Sequence, residues 1–368
     1  MDFGIALASS TESWKVVQRA EELGFKDAWF YDSQLLYSDV FVAMTLAAEK
    51  TSRIGLATGV LIPSNRLAPV AANAFASLNT IAPGRIKMGL GTGYTGRRTM
   101  GLKAIKLAEF RQYIEVLVGM LEGKTVDWTV EGHERKLRFL NPQFGMIDIE
   151  TPIDLAISAF GPKSRQLCAD FGAEWCAFGG TLDNAAGQVE QMKVTWEASG
   201  RPVSSLRAVE FVLGCVLEDG EPADSPSAKA QGGTLPAAAI HGMVEDQFAQ
   251  AAGSGSEGSL EATLGKLPPS LAEAIAKYVE VYSDYPPEER YLFNHTQHLI
   301  APRSEEEHVL TADLLREFAW VGDRDELRAR VARLEEAGYT QIAIQLVPGH
   351  EDAIEEWAEV FGLSSRAG

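Results

Sequence analysis

The residues LNTIAPGRIKMGLGTGYTG, at positions 78–96, end one predicted helix, pass through a strand and stop in a glycine-rich turn. A helix is predicted over 70–81 and a strand over 85–93, because apolar residues first recur at helical spacing and then form a short continuous run. The same order of elements recurs on both sides of this stretch. Such a repeating rhythm of strands and helices is typical of a parallel sheet with crossover helices.

Eight stretches of strand length are predicted along the chain: 3–8, 27–32, 54–61, 85–93, 152–160, 174–180, 206–217 and 341–347. Helices are predicted over 13–23, 40–50, 70–81, 106–121, 163–171, 271–282, 323–337 and from 351 onward. This pattern in 368 residues predicts the α/β class and one (β/α)₈ TIM-barrel domain with insertions over 1–368. A doubly wound sheet is the alternative, but its first turn should carry G-x-G-x-x-G, and the first turn here, ALASSTES, has no glycine.

Two segments interrupt the rhythm. Residues at about 125–150 alternate between apolar and polar around Glu131 and Gly132, which predicts an inserted hairpin. Over 219–270 the composition shifts to Ala, Gly, Ser and Pro, which predicts loops. We therefore expect a mobile lid at about 219–300, or else a simple insertion.

Composition and charge restrict the function classes. The chain has 46% hydrophobic and 23% charged residues, as globular proteins do. Acidic residues outnumber basic ones 51 to 33, and the net charge of −18 argues against nucleic acid and anionic lipid as partners. No secretory signal and no run of roughly 18 apolar residues is visible, so no membrane association is expected. The three cysteines, Cys168, Cys176 and Cys215, include no C-x-x-C pair, which favours a cytoplasmic protein without disulfides or zinc.

The predicted strand ends are rich in glycine and hydroxyl residues, and they lack an acid or histidine cluster with metal-ligand spacing. No metal site is therefore expected. The stretches SAFGPKSRQL (158–167) and FGGT (178–181) each lead from a strand end into a helix, where free backbone N–H groups bind phosphate. GLGTGYTG (89–96) offers either a similar anion site or only a tight turn. Together these strand ends predict a phosphate-bearing cofactor.

Several motifs spread over almost the whole chain carry a family resemblance: FGIAL (3–7), AEELGF (20–25), TSRIGLATGV (51–60), LNTIAPGR (78–85) before MGLGTG (88–93), SAFGP (158–162) and GDRDEL (322–327). They resemble the luciferase-like superfamily of flavin- and F420-dependent TIM-barrel oxidoreductases. That superfamily includes bacterial luciferase and methylenetetrahydromethanopterin reductase. The resemblance implies a flavin or deazaflavin ring in the mouth of the barrel.

The resemblance also implies which residues bind the cofactor. The ring would be lined by Thr58, Gly59, Val60, Gly91 and Thr92. The phosphate would be held by Ser158, Ala159, Phe160, Gly161, Gly179 and Gly180. Several relatives have a non-prolyl cis peptide after the third strand, and it would fall here at Gly59–Val60, with an ordinary trans peptide as the alternative.

The catalytic candidates are Asp32, Tyr94 and His298. Asp32 ends a strand and either positions a substrate or anchors a loop. Tyr94 either contacts phosphate or substrate, or forms part of the pocket wall. His298, in the stretch HTQH (295–298), is a candidate acid or base or else a packed side chain. Further candidates are Asn65 and Arg66 for substrate, Arg97 and Arg98 for phosphate, and His241 as an acid or base.

Two departures from the deazaflavin-dependent relatives bear on the reaction. Ser33 follows Asp32 where those relatives often carry a histidine, and Tyr94 follows Gly93 where some carry a carboxylate. A rim without strong acids or bases suits reduced FMN and O₂, which need a dry pocket around a flavin peroxide. The sequence therefore favours an FMNH₂-dependent two-component monooxygenase acting on a small organic substrate.

No NAD(P)H fingerprint is visible, so a separate NAD(P)H flavin reductase would supply the reduced FMN. The first alternative is an F420-dependent oxidoreductase that transfers hydride to or from a small organic substrate. A further alternative is a non-catalytic flavin-binding barrel. By resemblance alone, a homodimer or homotetramer is expected.

Overall fold

Eight parallel strands form a closed barrel in the computed structural model, which describes residues 1–178, 180–254 and 264–363. They are β1 (Asp2–Ala8), β2 (Asp27–Tyr31), β3 (Gly55–Thr58), β4 (Ile86–Leu90), β7 (Asp154–Ser158), β8 (Glu174–Phe178), β9 (Ala208–Val216) and β11 (Gln341–Leu346). Each strand pairs with the next in this order, and β11 pairs with β1. All eight predicted strands are present, and the predicted (β/α)₈ barrel is confirmed.

Helices surround the barrel. They are α1 (Trp14–Leu23), α2 (Val40–Lys50), α3 (Ala68–Ile81), α4 (Thr95–Arg98), α5 (Leu107–Leu121), α6 (Pro162–Phe171), α7 (Leu182–Ala198), α13 (Arg324–Ala337) and α14 (Ile354–Val360). Within the described ranges, no helix is both long and apolar enough to cross a lipid bilayer. The short α4 was not predicted, and it lies directly after the glycine-rich turn that follows β4.

The barrel interior is filled by a few large aromatic side chains and small neighbours. Trp29 is fully buried and meets the ring of Phe211 edge to face, with centroids 5.2 Å apart. Ala6, Ala57 and Ala343 belong to the same buried cluster. Small residues on neighbouring strands leave room for the indole, so the barrel is a packed core and its chemistry is confined to the rim.

The hairpin predicted at about 125–150 is present. It consists of β5 (Val126–Val130) and β6 (His133–Leu137), which pair antiparallel. Glu131 and Gly132 form the two-residue turn with φ of 52° and 75°. Positive φ at both positions is what the favoured two-residue hairpin turn requires.

The segment between β9 and β10 (Trp320–Gly322) is helical in its described parts. It contains α8 (Pro226–Gly232), α9 (Thr234–Ser254), α10 (Pro269–Asp284), α11 (Arg290–His295) and α12 (Ala312–Phe318). The loop prediction is wrong for most of 226–254, because alanine is the best helix former and the alanines there extend helices. These helices share a buried cluster of their own, which includes Ile240, Val244, Leu271 and Ile275. We call this segment, 219–318, the helical insert.

Candidate active site

The chain after β3 forms one wall of the barrel mouth. The strand ends at Thr58, three residues earlier than predicted, because the chain turns at a cis peptide between Gly59 and Val60. The expected cis peptide is therefore present. Thr58 is fully buried and its hydroxyl donates to the carbonyl oxygen of Gly89 over 2.7 Å, so its side chain does not reach the mouth.

Three of the predicted cofactor-binding residues come together at this wall. A Cβ atom on Gly91 would lie 2.5 Å from Cγ2 of Val60 and 3.6 Å from Cβ of Ser158. Only glycine allows these elements to approach so closely. Thr92 follows and is half-buried, and its carbonyl oxygen accepts from the Ile105 N–H. Gly91 thus allows the chain after β4 to pack closely against Gly59–Val60, as the tight-turn alternative expects. The anion-site alternative for this stretch stays a prediction.

The predicted phosphate loop lies between β7 and α6. Ser158 is half-buried, Ala159 is buried, and Phe160 and Gly161 are exposed. Gly161 precedes α6, and its N–H donates to the Ser164 hydroxyl over 3.1 Å. The loop therefore leads into a helix N-terminus, where the first N–H groups and the helix dipole favour an anion.

A buried guanidinium lies beneath this loop. Arg165 is only 6% exposed and donates to the Phe160 carbonyl oxygen and to Oε1 of Gln191. Among the described residues, no carboxylate lies within 4.0 Å of it, and its Nε has no hydrogen-bond partner. Its positive charge is therefore not neutralised locally and adds to the attraction of the loop for an anion.

The neighbouring strand end is described in part. Gly180 is exposed, has a φ of +98°, and lies directly before the Thr181 cap of α7. Gly179, which was also predicted to hold the phosphate, lies outside the described residues. The ring-binding and phosphate-binding roles of all these residues stay predictions.

Asp32 is buried and holds the chain that follows Gly59–Val60. It accepts from the Ile62 N–H at 3.2 Å, from Asn65 at 3.3 Å and from Arg66 at 3.4 Å. Burial raises the pKa of Asp32 despite the nearby charge of Arg66. These contacts match the anchoring alternative, and they also engage Asn65 and Arg66, the two predicted substrate contacts.

Tyr94 connects the mouth to the helical insert. A Cβ atom on Gly242 would lie 1.6 Å from the Tyr94 hydroxyl oxygen. The Arg98 guanidinium carbon lies 4.2 Å from the centroid of the Tyr94 ring. Arg98 pairs with Glu245 at 3.2 Å and Asp246 at 2.6 Å. The predicted phosphate role of Arg98 is therefore not supported, because its charge is already neutralised by the insert.

His298 belongs to the helical insert and contacts the first residue of α4, after the glycine-rich turn that follows β4. Its Nε2 lies 2.9 Å from the Thr95 hydroxyl. The ring is buried, and burial lowers the pKa of His298 well below its usual range, with a smaller contribution from the nearby imidazole of His295. The lowered pKa favours the neutral imidazole, which accepts a proton at its unprotonated nitrogen. Its Nδ1 has no hydrogen-bond partner within the described part of the chain.

The backbone around His298 is held in an unusual conformation. Gln297 and Leu299 flank it with φ of 58° and 56°, values that L-residues seldom adopt. The Tyr37 hydroxyl donates to the His298 carbonyl oxygen, and the Gln345 amide donates to that of Leu299, both over 2.7 Å. Strained backbone of this kind persists when the surroundings determine it, and it clusters at functional sites.

The two other histidines considered lie deeper in the insert. His241 Nε2 lies 2.7 Å from Glu306, and His295 Nε2 lies 3.1 Å from Glu245. The described residues contain no group of three or more His, Cys, Asp or Glu side chains arranged to hold a metal ion. Of the predicted acid or base candidates, His298 is therefore the one that contacts the barrel mouth.

Two residues of the site were missed by sequence reasoning. Thr95 belongs to the glycine-rich stretch, but its partner lies 203 residues away and nothing local signals the contact. Arg165 lies within the quoted phosphate-loop stretch, and a cation one turn into the helix was a usable signal. A third residue, Gln345, lies near the carboxyl end of β11, where the chemistry of barrel enzymes is expected.

The fold and this mouth define a TIM-barrel protein whose polar groups converge at the carboxyl ends of its strands, which is where barrel enzymes carry their active sites. The chain belongs to the luciferase-like monooxygenase family, whose sequence profile matches residues 8–341.

Individual relatives match over shorter stretches. The chain is 31% identical to 5,10-methylenetetrahydromethanopterin reductase of Methanolobus tindarius over 175 residues, 46% of this chain and 52% of that protein. It is 28% identical to F420-dependent hydroxymycolic acid dehydrogenase of Mycobacterium tuberculosis over 202 residues, 50% of this chain and 54% of that protein. These matches span about half the length of each relative.

A solved structure matches over nearly the full length. It is coenzyme F420-dependent tetrahydromethanopterin reductase from Methanopyrus kandleri, with a TM-score of 0.69, 19% identity and 97% coverage of both chains. At this level of identity the likeness concerns the fold alone.

Proposed function

We propose that this protein is an F420-dependent oxidoreductase that transfers hydride to or from a carbon atom of a small organic substrate. The observation that carries the proposal is the contact of His298 Nε2 with the Thr95 hydroxyl at the barrel mouth. Hydride removal from an alcohol carbon requires that a base takes up the hydroxyl proton. A neutral imidazole accepts that proton at its unprotonated ring nitrogen, and in the reverse reaction the resulting imidazolium returns it to the alkoxide oxygen.

This contact removes the main argument for the monooxygenase. The sequence favoured FMNH₂ and O₂ because the predicted rim lacked an acid or base. The helical insert supplies one, since His298 reaches the rim from far along the chain. The site therefore favours the F420 alternative over the monooxygenase.

The residues present fit a phosphate-bearing deazaflavin. Val60, Gly91 and Ser158 form a close-packed wall without large side chains, which suits a flat ring. The loop before α6, with Arg165 beneath it, suits the phosphate. When bound, the deazaflavin supplies a carbon centre that accepts or delivers a hydride. The chain itself would hold the ring, exclude water and move a proton at His298 Nε2.

The relatives support the same choice. One of the matched proteins is named as an F420-dependent dehydrogenase, and the structural relative is named as F420-dependent. These names belong to the relatives, which share about half of their sequence or only their fold with this chain. The substrate of this chain does not follow from them.

An anaerobic titration tests the proposal. Purified protein is titrated with F420 and separately with FMNH₂, and binding is followed by cofactor fluorescence and calorimetry. We expect saturable F420 binding and no peroxyflavin absorbance when O₂ is added to the FMNH₂ sample. Tight FMNH₂ binding with a peroxyflavin band and no F420 binding would overturn the proposal.

The second candidate is the FMNH₂-dependent monooxygenase with O₂ and a separate reductase. It is favoured by the absence of the expected histidine and carboxylate, since Ser33 follows Asp32 and Tyr94 follows Gly93. His298→Gln separates the two candidates. Loss of hydride transfer with unchanged F420 affinity supports the first, whereas unchanged O₂-dependent turnover in this variant supports the second.

A further inference from the structure

Glu245, in α9 of the helical insert, receives three hydrogen-bond donors at one carboxylate oxygen. Arg98 Nη1 lies 3.2 Å from Oε2, His295 Nε2 lies 3.1 Å from it, and the Asn294 amide donates to it over 3.2 Å. Burial raises the pKa of Glu245, but the hydrogen bond with His295 and the charge of Arg98 outweigh burial and lower it. The carboxylate is therefore ionised at neutral pH and acts only as an acceptor.

The contacts of Glu245 form a closed circuit with those of His298. Thr95 is the first residue of α4 and Arg98 is the last, so one short helix carries both the partner of His298 and a partner of Glu245. On the side of the insert, the rings of His295 and His298 pack edge to face with centroids 5.5 Å apart. Glu245 therefore holds both members of the Thr95–His298 pair, one through Arg98 and the other through His295.

The direction of the hydrogen bonds in this circuit follows from the charge of Glu245. Since the carboxylate only accepts, His295 donates from Nε2, and a neutral imidazole then keeps an unprotonated Nδ1. Nδ1 of His295 and Nδ1 of His298 are both buried, and neither has a hydrogen-bond partner within the described part of the chain.

The two imidazoles complement each other if His298 carries its proton on Nδ1. Its N–H is then the donor that the unprotonated Nδ1 of His295 lacks, and one water molecule between the two rings would join them. In this tautomer Nε2 of His298 is unprotonated and accepts from the Thr95 hydroxyl, which lies 2.9 Å away. Every member of the circuit then has a donor opposite an acceptor.

We propose that Glu245 and His295 are positioning residues for His298, which they hold with its proton on Nδ1 and its unprotonated Nε2 directed towards Thr95. Nε2 is the atom that takes up a proton in the proposed reaction, so this tautomer is the one that acts as a base. The role of the tautomer in catalysis rests on the proposed function. The tautomer itself does not, because it depends only on contacts between the insert and α4.

Nuclear magnetic resonance on the cofactor-free protein tests the proposal. The chain has six histidines, and isotope labelling of histidine alone allows long-range proton–nitrogen spectra to distinguish protonated from unprotonated ring nitrogens. His298→Gln and His295→Phe assign the signals. At neutral pH we expect His298 to be protonated at Nδ1 only and His295 at Nε2 only. A wild-type His298 protonated at Nε2 would overturn the proposal, and so would a His295 ring protonated at both nitrogens.

Variants of Glu245 distinguish positioning from a merely structural role. Glu245→Leu removes the acceptor and should raise the Nε2-protonated fraction of His298 at least about fivefold, the effect of losing about one hydrogen bond. Glu245→Gln keeps an oxygen that accepts from His295 and should retain the wild-type tautomer. His295→Phe removes the next member of the circuit and should raise the same fraction, which provides the test if Glu245→Leu does not fold.

Asp246→Leu is the matched control. Asp246 is the next residue in α9 and also pairs with Arg98, at 2.6 Å, rather than with a histidine. Its loss should leave the His298 tautomer unchanged. An unchanged tautomer in folded Glu245→Leu and His295→Phe variants would overturn the proposal, and so would equal changes in Glu245→Leu and Asp246→Leu.

The result is independent of the cofactor titration. The expected wild-type spectrum without F420 binding would retain the positioning of His298 and reject the proposed function. F420 binding by a protein whose His298 is protonated at Nε2 would retain the F420-dependent function and reject the positioning role of Glu245 and His295.

Discussion

His298 Nε2 and the Thr95 hydroxyl oxygen lie 2.9 Å apart, although 203 residues separate them in the sequence. Thr95 begins α4 at the end of a barrel strand, and His298 comes from the helical insert. The contact therefore joins the barrel to the insert at the point where barrel enzymes carry their chemistry.

Removal of the Thr95 hydroxyl tests whether this contact serves proton transfer. Thr95→Val should lower kcat about 100-fold, the usual contribution of a positioned acid or base, with little change in F420 affinity. Thr95→Ser retains the hydroxyl and should restore most of the rate. Steady-state kinetics and fluorescence titration measure both quantities. A Thr95→Val enzyme with wild-type kcat would show that the hydroxyl has no part in the reaction.

Removal of the charge beneath the phosphate loop tests the cofactor site. Arg165→Met should raise the cofactor Kd about tenfold, because one charge-assisted interaction is lost. Arg201→Met is the matched control, since Arg201 donates to backbone carbonyl oxygens of Ala169 and Asp170, near the other end of α6. Both Kd values are measured by cofactor fluorescence. Equal affinities for the two variants would place the phosphate elsewhere.

The close approach of Gly242 to Tyr94 predicts strong coupling between the two positions. Gly242→Ala places a Cβ 1.6 Å from the Tyr94 hydroxyl oxygen and should lower the free energy of unfolding by about 1–3 kcal/mol. The same change in a Tyr94→Ala background should cost much less. A double-mutant cycle in urea measures the coupling.

Gly187→Ala is the control for that cycle. It lies in α7 and a Cβ there has no atom within 4 Å, so it should stabilise the protein by about 0.5–1 kcal/mol. Additive effects of Gly242→Ala and Tyr94→Ala would contradict the contact.

A buried ion triad at the opposite end of the barrel predicts a large loss of stability. Lys87 Nζ lies 3.1 Å from Asp27 and 2.7 Å from Glu174. Burial alone would lower the pKa of Lys87, but these carboxylates raise it above its usual value, so the ammonium stays charged. Lys87→Met leaves two buried carboxylates without their cation and should cost about 3–5 kcal/mol in urea unfolding.

Lys136→Met provides the comparison for Lys87. Lys136 pairs with Asp127 at 2.7 Å, but both side chains are more than 70% exposed. Its loss should change the free energy of unfolding by less than about 1 kcal/mol. Similar costs for the two variants would mean that the triad contributes no more than a surface pair.

Glu306 predicts a pH dependence of stability. Burial raises its pKa, but the hydrogen bond with His241 and the charge of Arg303 outweigh burial and lower the pKa to about 2. A depressed pKa stabilises the fold above the unfolded value of about 4.3, and this contribution is lost as the pH falls towards 2. Wild type should therefore exceed Glu306→Gln in stability by roughly 3 kcal/mol at pH 7, with the difference shrinking between about pH 5 and pH 2.

Urea unfolding at several pH values measures this difference. Glu307→Gln is the control. Glu307 is the next residue and is exposed, so its substitution should change the free energy of unfolding little and by the same amount at every pH. A constant difference between wild type and Glu306→Gln across the pH range would contradict the linkage.

Local sequence signals were sufficient for the barrel. Each of the eight strands is a short apolar run followed by a polar or glycine-rich end. Residues adjacent in the sequence are therefore enough to predict each strand. Strand β3 is shorter than predicted. Residues 59–61 continue its run in the sequence, but the backbone leaves the strand hydrogen-bond ladder after Thr58. The helical insert was misjudged because an alanine-rich composition is compatible with both a loop and a helix until a partner surface is known.

The sequence by itself determined the (β/α)₈ fold, the family, the wall at Gly59–Val60 and the loop that leads from β7 into α6, because these depend on contiguous residues with a local pattern. Only the tertiary structure decided which polar groups share the mouth. Asp32 accepts hydrogen bonds from the loop at 62–66, Arg98 forms ion pairs with Glu245 and Asp246, and His298 contacts Thr95. Each of these outcomes depends on a partner distant in sequence, and the packing of the insert against the barrel brings Glu245, Asp246 and His298 within reach.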